Sequence, residues 1–293
     1  MAGGRKEGCG PANLAGAGEC RLNGVPIMVG KIFAVVVALV TLATAYCVVT
    51  HVWWMPEDIS AHGPKIDHQI EETILVAGLL FIAGQIVLAT FVFLYGGAKA
   101  KPKQIPGGAK PLVIFAFVLV GTEILALSFI GSKAWGAVYF EAPDPNSMHI
   151  DVQAGQFAFY FRYPGPDGKF GALHPELINE GTQNYFGIDP EHDPDARDDI
   201  VTAEIAIPVN KPILLTLHSK DVGHSFYVRE LRVQQDFVPG LSIPIHFTAT
   251  KTGRYEIVCT QLCGLGHYNM KAYLSVLSQS DFDDWLTKQA AMQ

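Results

Sequence analysis

The segment Cys259-Thr-Gln-Leu-Cys263-Gly-Leu-Gly-His267-Tyr-Asn-Met270 gathers two thiols, an imidazole and a thioether, and Asp221-Val-Gly-His224-Ser-Phe supplies a second imidazole 35 residues before Cys259. Thiolate and thioether are soft donors that suit copper, whereas methionine adds almost nothing to a zinc or calcium site. Gly264 and Gly266 let the loop turn tightly enough for Cys, His and Met to face one point. A mononuclear blue-copper centre uses one Cys, two His and a weak axial Met. The second Cys lets a C-x3-C-x3-H-x2-M loop bridge two copper ions, each with one imidazole and one weak axial donor. Two other readings use part of the set. A Cys259–Cys263 disulfide leaves His224, His267 and Met270 unexplained, and a Cys2His2 zinc site leaves Met270 unexplained. The other histidines, including His51, His62 and His68, lack partners at ligand spacing, and no C-x-x-C-H for a c-type haem occurs.

These donors must be held by the second half of the chain. From residue 147 the sequence turns to short segments with period-2 alternation, rich in Val, Ile, Tyr, Phe and Thr and punctuated by Pro and Gly. The segments 147–153, 156–163, 201–208, 212–218, 224–229, 242–250, 253–259 and 270–277 are expected strands, and so many short strands predict a β-sandwich. A short helix closes the chain, with Ser280 expected as N-cap and Asp283 at the capping-box position. The stretch 164–200 has five prolines and little alternation, which marks it as an exposed excursion from the sandwich.

Charge is concentrated in that excursion. The chain of 293 residues has a formal net charge of −7, and residues 164–200 hold nine acids against Lys169 and Arg197, so the remainder sums to zero. No broad basic face exists for a phosphate backbone, which excludes nucleic-acid binding as the default. With 49% hydrophobic residues, disorder is excluded as well.

Three apolar runs account for much of that apolarity. Helices at about 27–50, 72–98 and 111–138 are each long enough to cross a bilayer core of about 30 Å, giving a leader 1–24, a membrane anchor 25–140 and an outer domain 141–293. Lys99, Lys101, Lys103 and Lys110 lie in the loop between the second and third runs with no acid among them. By the positive-inside rule this loop and the leader are cytoplasmic and the outer domain is extracytoplasmic. Trp53, Trp54, Trp135 and Tyr139 fall where an interfacial aromatic belt is expected on the outer side. Glu123 is an acid inside the third run, a placement that costs about 2.5 kcal/mol or more and commonly serves ion or proton movement.

The Cys/His/Met loop, the upstream His224 and the two-part architecture resemble subunit II of haem-copper cytochrome c oxidases, over roughly residues 70–290. The resemblance implies a cupredoxin-like Greek-key sandwich carrying the dinuclear CuA centre, behind transmembrane helices. It makes Cys259 and Cys263 bridging thiolates, His224 and His267 terminal imidazoles, Met270 an axial ligand and the Gln261 carbonyl its counterpart. It implies an enzyme complex in the bacterial inner membrane, with the copper domain on the periplasmic face. There the chain would take electrons from a separate c-type cytochrome and pass them to haem in subunit I, beside a subunit III, for oxygen reduction coupled to proton translocation. A CuA subunit of a nitric oxide reductase, or a membrane-anchored copper chaperone, is the alternative.

Departures from the family pattern set further expectations. Gln261 stands where many members have a magnesium-holding Glu. Gln156-Phe157-Ala158-Phe159-Tyr160-Phe161-Arg162-Tyr163 replaces the usual electron-entry tryptophans, leaving Phe157 and Phe159 as candidates for that role. Glu123 is the candidate proton-path residue, without the flanking Trp-Thr-x-x-Pro. The acids Asp189, Glu191, Asp193, Asp195, Asp198 and Asp199 are candidates for docking a basic cytochrome.

Overall fold

The computed structural model describes residues 27–96 and 108–293. The leader 1–24 and the loop residues Lys99, Lys101 and Lys103, from which the orientation was read, lie outside the described residues.

Three helices, α1 (Ile27–Val49), α2 (Gly63–Tyr95) and α3 (Lys110–Tyr139), are long and apolar enough to cross a membrane. The second begins at Gly63, well before the expected 72, because its first turns are polar: Lys65, Asp67, His68, Glu71 and Glu72 extend the helix beyond the apolar run. Ser60 starts it, its hydroxyl accepting the Gly63 N–H at 2.8 Å. The chain divides into two units, one of α1 with residues 77–110, the other of residues 54–76 with 111–293. In the first, small residues permit close helix contact: a Cβ on Gly30 would strike the Gly96 carbonyl.

In the second unit ten strands form two five-stranded sheets. They are β1 (Met148–Gly155), β2 (Ala158–Tyr163), β3 (Ile200–Thr202), β4 (Ile205–Pro208), β5 (Pro212–Ser219), β6 (His224–Val228), β7 (Val233–Phe237), β8 (Ile243–Thr248), β9 (Gly253–Val258) and β10 (Lys271–Leu277), followed by helix α4 (Gln279–Ala290). One sheet runs β3-β2-β1-β5-β8 and the other β4-β10-β9-β6-β7. Pairing is antiparallel except between β1 and β5 and between β4 and β10. Alternate residues fill the space between the sheets, among them Ile150, Val152, Phe161, Leu215, Leu217, Phe226, Ile257 and Leu274. The Tyr163 hydroxyl crosses the core, donating to the Ala206 carbonyl and accepting its N–H, each at 2.9 Å.

Two strands depart from the expected set. The segment 201–208 is two strands, because the chain changes sheets between them: β3 pairs with β2 and β4 with β10. The strand β7, Val-Gln-Gln-Asp-Phe, has apolar residues only at its ends, too few for alternation to show. Helix α4 is capped by Ser278 rather than Ser280, the Ser278 hydroxyl accepting the Asp281 N–H at 3.2 Å.

The acidic excursion is a folded cover rather than a free loop. It carries three single-turn helices, Pro175–Leu177, Glu180–Thr182 and Pro194–Ala196, and buries Phe186 and Ala196. Arg162, on the outward side of β2, is wholly buried beneath it: its guanidinium lies over Phe170 at 4.9 Å, donates to the Gly171 carbonyl at 2.5 Å and pairs with Asp199. Tyr160 stacks on Tyr185 with ring centroids 3.5 Å apart, and Lys220 pairs with Glu180.

Candidate metal centre

The thiol-bearing loop joins β9 to β10, which pair antiparallel, and the Cys259 N–H donates to the Met270 carbonyl at 3.2 Å to close its neck. A single turn at His267–Asn269 swings His267 back towards the cysteines. Beside the loop, β6 opens on His224, aligned with Phe237 of β7 and registered to β9 through Tyr227 and Val258. The unforeseen strand β7 therefore flanks a site residue.

The donors converge. Cys259 Sγ and Cys263 Sγ are 3.8 Å apart, and Cys263 Sγ lies 3.6 Å from His267 Nδ1 and 3.7 Å from Met270 Sδ. The Gln261 carbonyl oxygen is 3.2 Å from Cys259 Sγ. Among the described residues, His224, Cys259 and Cys263 form one group whose donor atoms all lie within 4.8 Å of one another. At 3.8 Å the sulfurs are unbonded, since a disulfide needs about 2.05 Å.

Two observations fit this set to a soft cation. His224 is wholly buried, and its Nδ1 has no hydrogen-bond partner, an orphan that a metal would satisfy. Burial first, and the adjoining Cys259 thiol second, push the Cys263 thiol up to about 11. A thiolate is thus disfavoured in this pocket unless a cation compensates it.

Residues around the donors fix their orientation. His224 Nε2 lies 2.7 Å from Asp221 Oδ1. Burial raises the Asp221 carboxyl, but hydrogen bonds from His224 and from the N–H groups of Gln156 and Val222 outweigh it and hold the group below the usual carboxylate value. An ionised Asp221 accepts the Nε2 proton, leaving the Nδ1 lone pair for a metal. The Asp221 carboxylate also accepts the Gln156 N–H at 2.8 Å, and the Gln156 side chain donates to the Cys263 carbonyl at 2.6 Å. One acid thereby ties the His224 side to the cysteine loop. Neither Asp221 nor Gln156 was singled out from the sequence, although Asp221 sits three residues before His224, within reach of its ring.

Phe157 is 40% exposed and its ring covers the loop so closely that a Cβ on Gly264 or Gly266 would run into it. Gly264 also adopts φ +131, which a side chain disfavours. Phe159, at 2% exposure, is core and packs on Phe237 with ring centroids 5.9 Å apart, so it presents no surface to a partner. Leu262, Leu265 and Tyr268 stand out from the loop into solvent. The Gln261 side chain is exposed.

Of the acids in the excursion, Glu191 is exposed and Asp195 half-exposed. Asp189 holds the His192 ring at 2.8 Å, Asp193 accepts the N–H groups of Ala172 and Asp195, and Asp198 accepts that of Asp167. Asp199 corrects the expectation of a docking acid: it is 5% exposed and paired with the buried Arg162, facing inward. Glu123 is half-exposed along α3.

Helices of membrane length followed by a ten-stranded sandwich, with a thiol–imidazole–thioether group between two of its strands, define a membrane-anchored protein with a cupredoxin-like domain that carries a candidate metal group. The family model "Cytochrome C oxidase subunit II, periplasmic domain" matches residues 191–277. The alternative cytochrome c oxidase subunit 2 of Bradyrhizobium diazoefficiens is 30% identical over 239 residues, 81% of this chain and 84% of that protein. The chain belongs to the cytochrome c oxidase subunit II family. Cytochrome c oxidase subunit 2 of Thermostichus vulcanus is 25% identical, covering 89% of this chain and 86% of that protein. The crystal structure of the periplasmic domain of subunit II of cytochrome oxidase of Bradyrhizobium japonicum covers 52% of this chain and 99% of its own, at 24% identity and a TM-score of 0.38.

Proposed function

We propose that this subunit of a haem-copper oxidase accepts electrons from a c-type cytochrome at a dinuclear copper centre held by His224, Cys259, Cys263, His267, Met270 and the Gln261 carbonyl. It hands them to haem in subunit I for oxygen reduction coupled to proton translocation. The observation that carries the reading is the second thiol: Cys263 Sγ stands among Cys259, His267 and Met270 donors at 3.6–3.8 Å, more sulfur than one blue-copper ion uses. Bound there, a pair of copper ions supplies one-electron storage and transfer.

The chain's own residues do the rest. Asp221 keeps the His224 proton on Nε2, so the buried Nδ1 faces the metal. Gln156 fixes the backbone of Cys263, and the two sheets hold β6 and the β9–β10 loop in register. Ligands so anchored move little when the charge changes. Phe157 shields the loop from water while leaving an apolar edge for a haem protein to approach. Exposed acids of the excursion, Glu191 with Asp167 and Glu176, give a basic cytochrome an attractive face. In this reading Glu123, a carboxylate within a membrane-length helix, serves proton entry towards subunit I. In this reading the copper domain lies on the periplasmic side of the bacterial inner membrane, with subunit III as a further neighbour.

The test is Cys263→Ser in the assembled oxidase. The sandwich folds, since the side chain is replaced by one of nearly equal size, while cytochrome c oxidation and oxygen uptake fall to background. Turnover retained in that variant contradicts the reading.

A further inference from the structure

Outside the metal centre, the second unit contains a cavity of about 240 Å³ where the start of α2, the end of α3 and the β5–β8 pair meet. Its lining includes one lysine, Lys65, two acids, Glu141 and Asp144, and two imidazoles, His62 and His246. None of Lys65, Glu141 and Asp144 is in an ion pair among the described residues, although opposite charges line one small space. Two buried polar atoms facing this region, His62 Nε2 and Ser147 Oγ, lack hydrogen-bond partners. Burial holds His62 below its usual pKa, so at neutral pH its ring is neutral and can donate or accept. His246 is already engaged, its Nε2 lying 3.0 Å from the Glu141 carbonyl.

Separated charges of both signs with unsatisfied donors call for a zwitterion. The volume is below the several hundred Å³ of a drug-sized site, so it suits a head group rather than a whole organic cofactor. Val138, in the last turn of the membrane-length helix α3, forms part of the wall. Trp135 and Phe140, within three residues of the wall residue Val138, are exposed, with ring centroids 4.9 Å apart, and form an apolar surface at the end of α3. We propose that this cavity seats the phosphoethanolamine head group of a membrane phospholipid, with its phosphate on Lys65 and His62, its ammonium on Glu141 and Asp144, and its chains along Trp135 and Phe140. A primary ammonium donates charge-assisted hydrogen bonds to carboxylates, which the trimethylated ammonium of a choline head group cannot. The Lys65 ammonium offers a phosphate a charge-assisted hydrogen bond.

The full chain, placed in nanodiscs of phosphatidylethanolamine and phosphatidylcholine in equal parts and released into the gas phase, reports which lipid it retains. The ethanolamine lipid is retained about fivefold or more over the choline lipid. Glu141→Gln with Asp144→Asn removes that preference, and Lys65→Ala, at an exposed position, lowers retention of both lipids. Far-ultraviolet circular dichroism unchanged in each variant shows that the sandwich is intact. Equal retention of the two lipids by the parent chain, a preference that survives Glu141→Gln with Asp144→Asn, or unchanged retention in Lys65→Ala overturns the proposal. Water-soluble glycerophosphoethanolamine competing at equal concentration assigns the cavity to a free zwitterion and overturns the lipid.

Discussion

Asp221 decides what His224 can do. The imidazole is buried with one nitrogen on the carboxylate and the other without a partner, so the acid, through the proton it accepts, selects the nitrogen offered to a metal. In Asp221→Asn the side chain loses its charge, and its amide NH2 faces either the Gln156 N–H or the His224 Nε2–H. Copper affinity is expected to fall about 10–100-fold, the usual cost of losing such a partner, with thermal unfolding of the copper-free protein little changed. Competition with a chelator of known affinity measures it, and unchanged retention shows that the ring is held by packing alone. The residues proposed as ligands were legible as a candidate set because soft donors at fixed spacing have few other uses. Gln156 was not, because it meets Asp221 and Cys263 only through loops far apart in sequence, and Asp221 was not, because a single acid three residues from a histidine carries no pattern.

At the scale of elements, alternation revealed the strands whose inner faces are apolar and concealed those that are not. β5, with Ile213, Leu215 and Leu217 buried and Leu214, Thr216 and His218 on the half-buried opposite face, could be read directly. β7 could not, since only Val233 and Phe237 face the core and Gln234, Gln235 and Asp236 lie between. The change of sheet between β3 and β4 was hidden for a different reason: Ala203 and Glu204 interrupt a run that is otherwise continuous. Capping at α4 was misplaced by two residues because Ser278 and Ser280 both precede acids at the right spacing, and the backbone chooses between them. Ser278→Ala is expected to cost about 1 kcal/mol by removing that cap, whereas Ser280→Ala costs little, which urea denaturation of the two variants distinguishes. The second unit also ties its helix to its sandwich: Arg232 grips Asp67 at 2.7 and 3.0 Å and the Pro56 carbonyl at 2.7 Å, and Tyr139 at the end of α3 donates to the Gln234 carbonyl at 2.7 Å.

For the whole molecule, apolarity and charge belong to different parts. The apolar excess lies in three helices of membrane length, and the net charge of −7 equals that of the excursion 164–200. The excursion covers the outer face of one sheet through Arg162, Tyr185 and Phe186, and it directs part of its acids outward. Asp199 is spent inside, as the partner of Arg162. Cytochrome c oxidation by the assembled enzyme is therefore expected to slow steeply with added salt, because docking charges are screened beyond a Debye length of about 8 Å at physiological ionic strength. Glu191→Gln flattens that dependence, while Asp199→Asn lowers stability because it leaves the buried Arg162 only the Asp151 carboxylate, at 3.6 Å. Stopped-flow rates against ionic strength test the first, and salt-independent rates in the parent enzyme remove the docking role from these acids.

In the proposed reading, the β9–β10 loop and the start of β6 would hold a pair of copper ions. Loading the full chain with copper under anaerobic conditions, then counting bound metal and titratable thiols together, tests it most directly. Two copper ions per chain are expected, with Cys259 and Cys263 both protected from thiol reagents and Cys47 unaffected. One copper ion per chain, or two ions with either Cys259 or Cys263 still reactive, contradicts it.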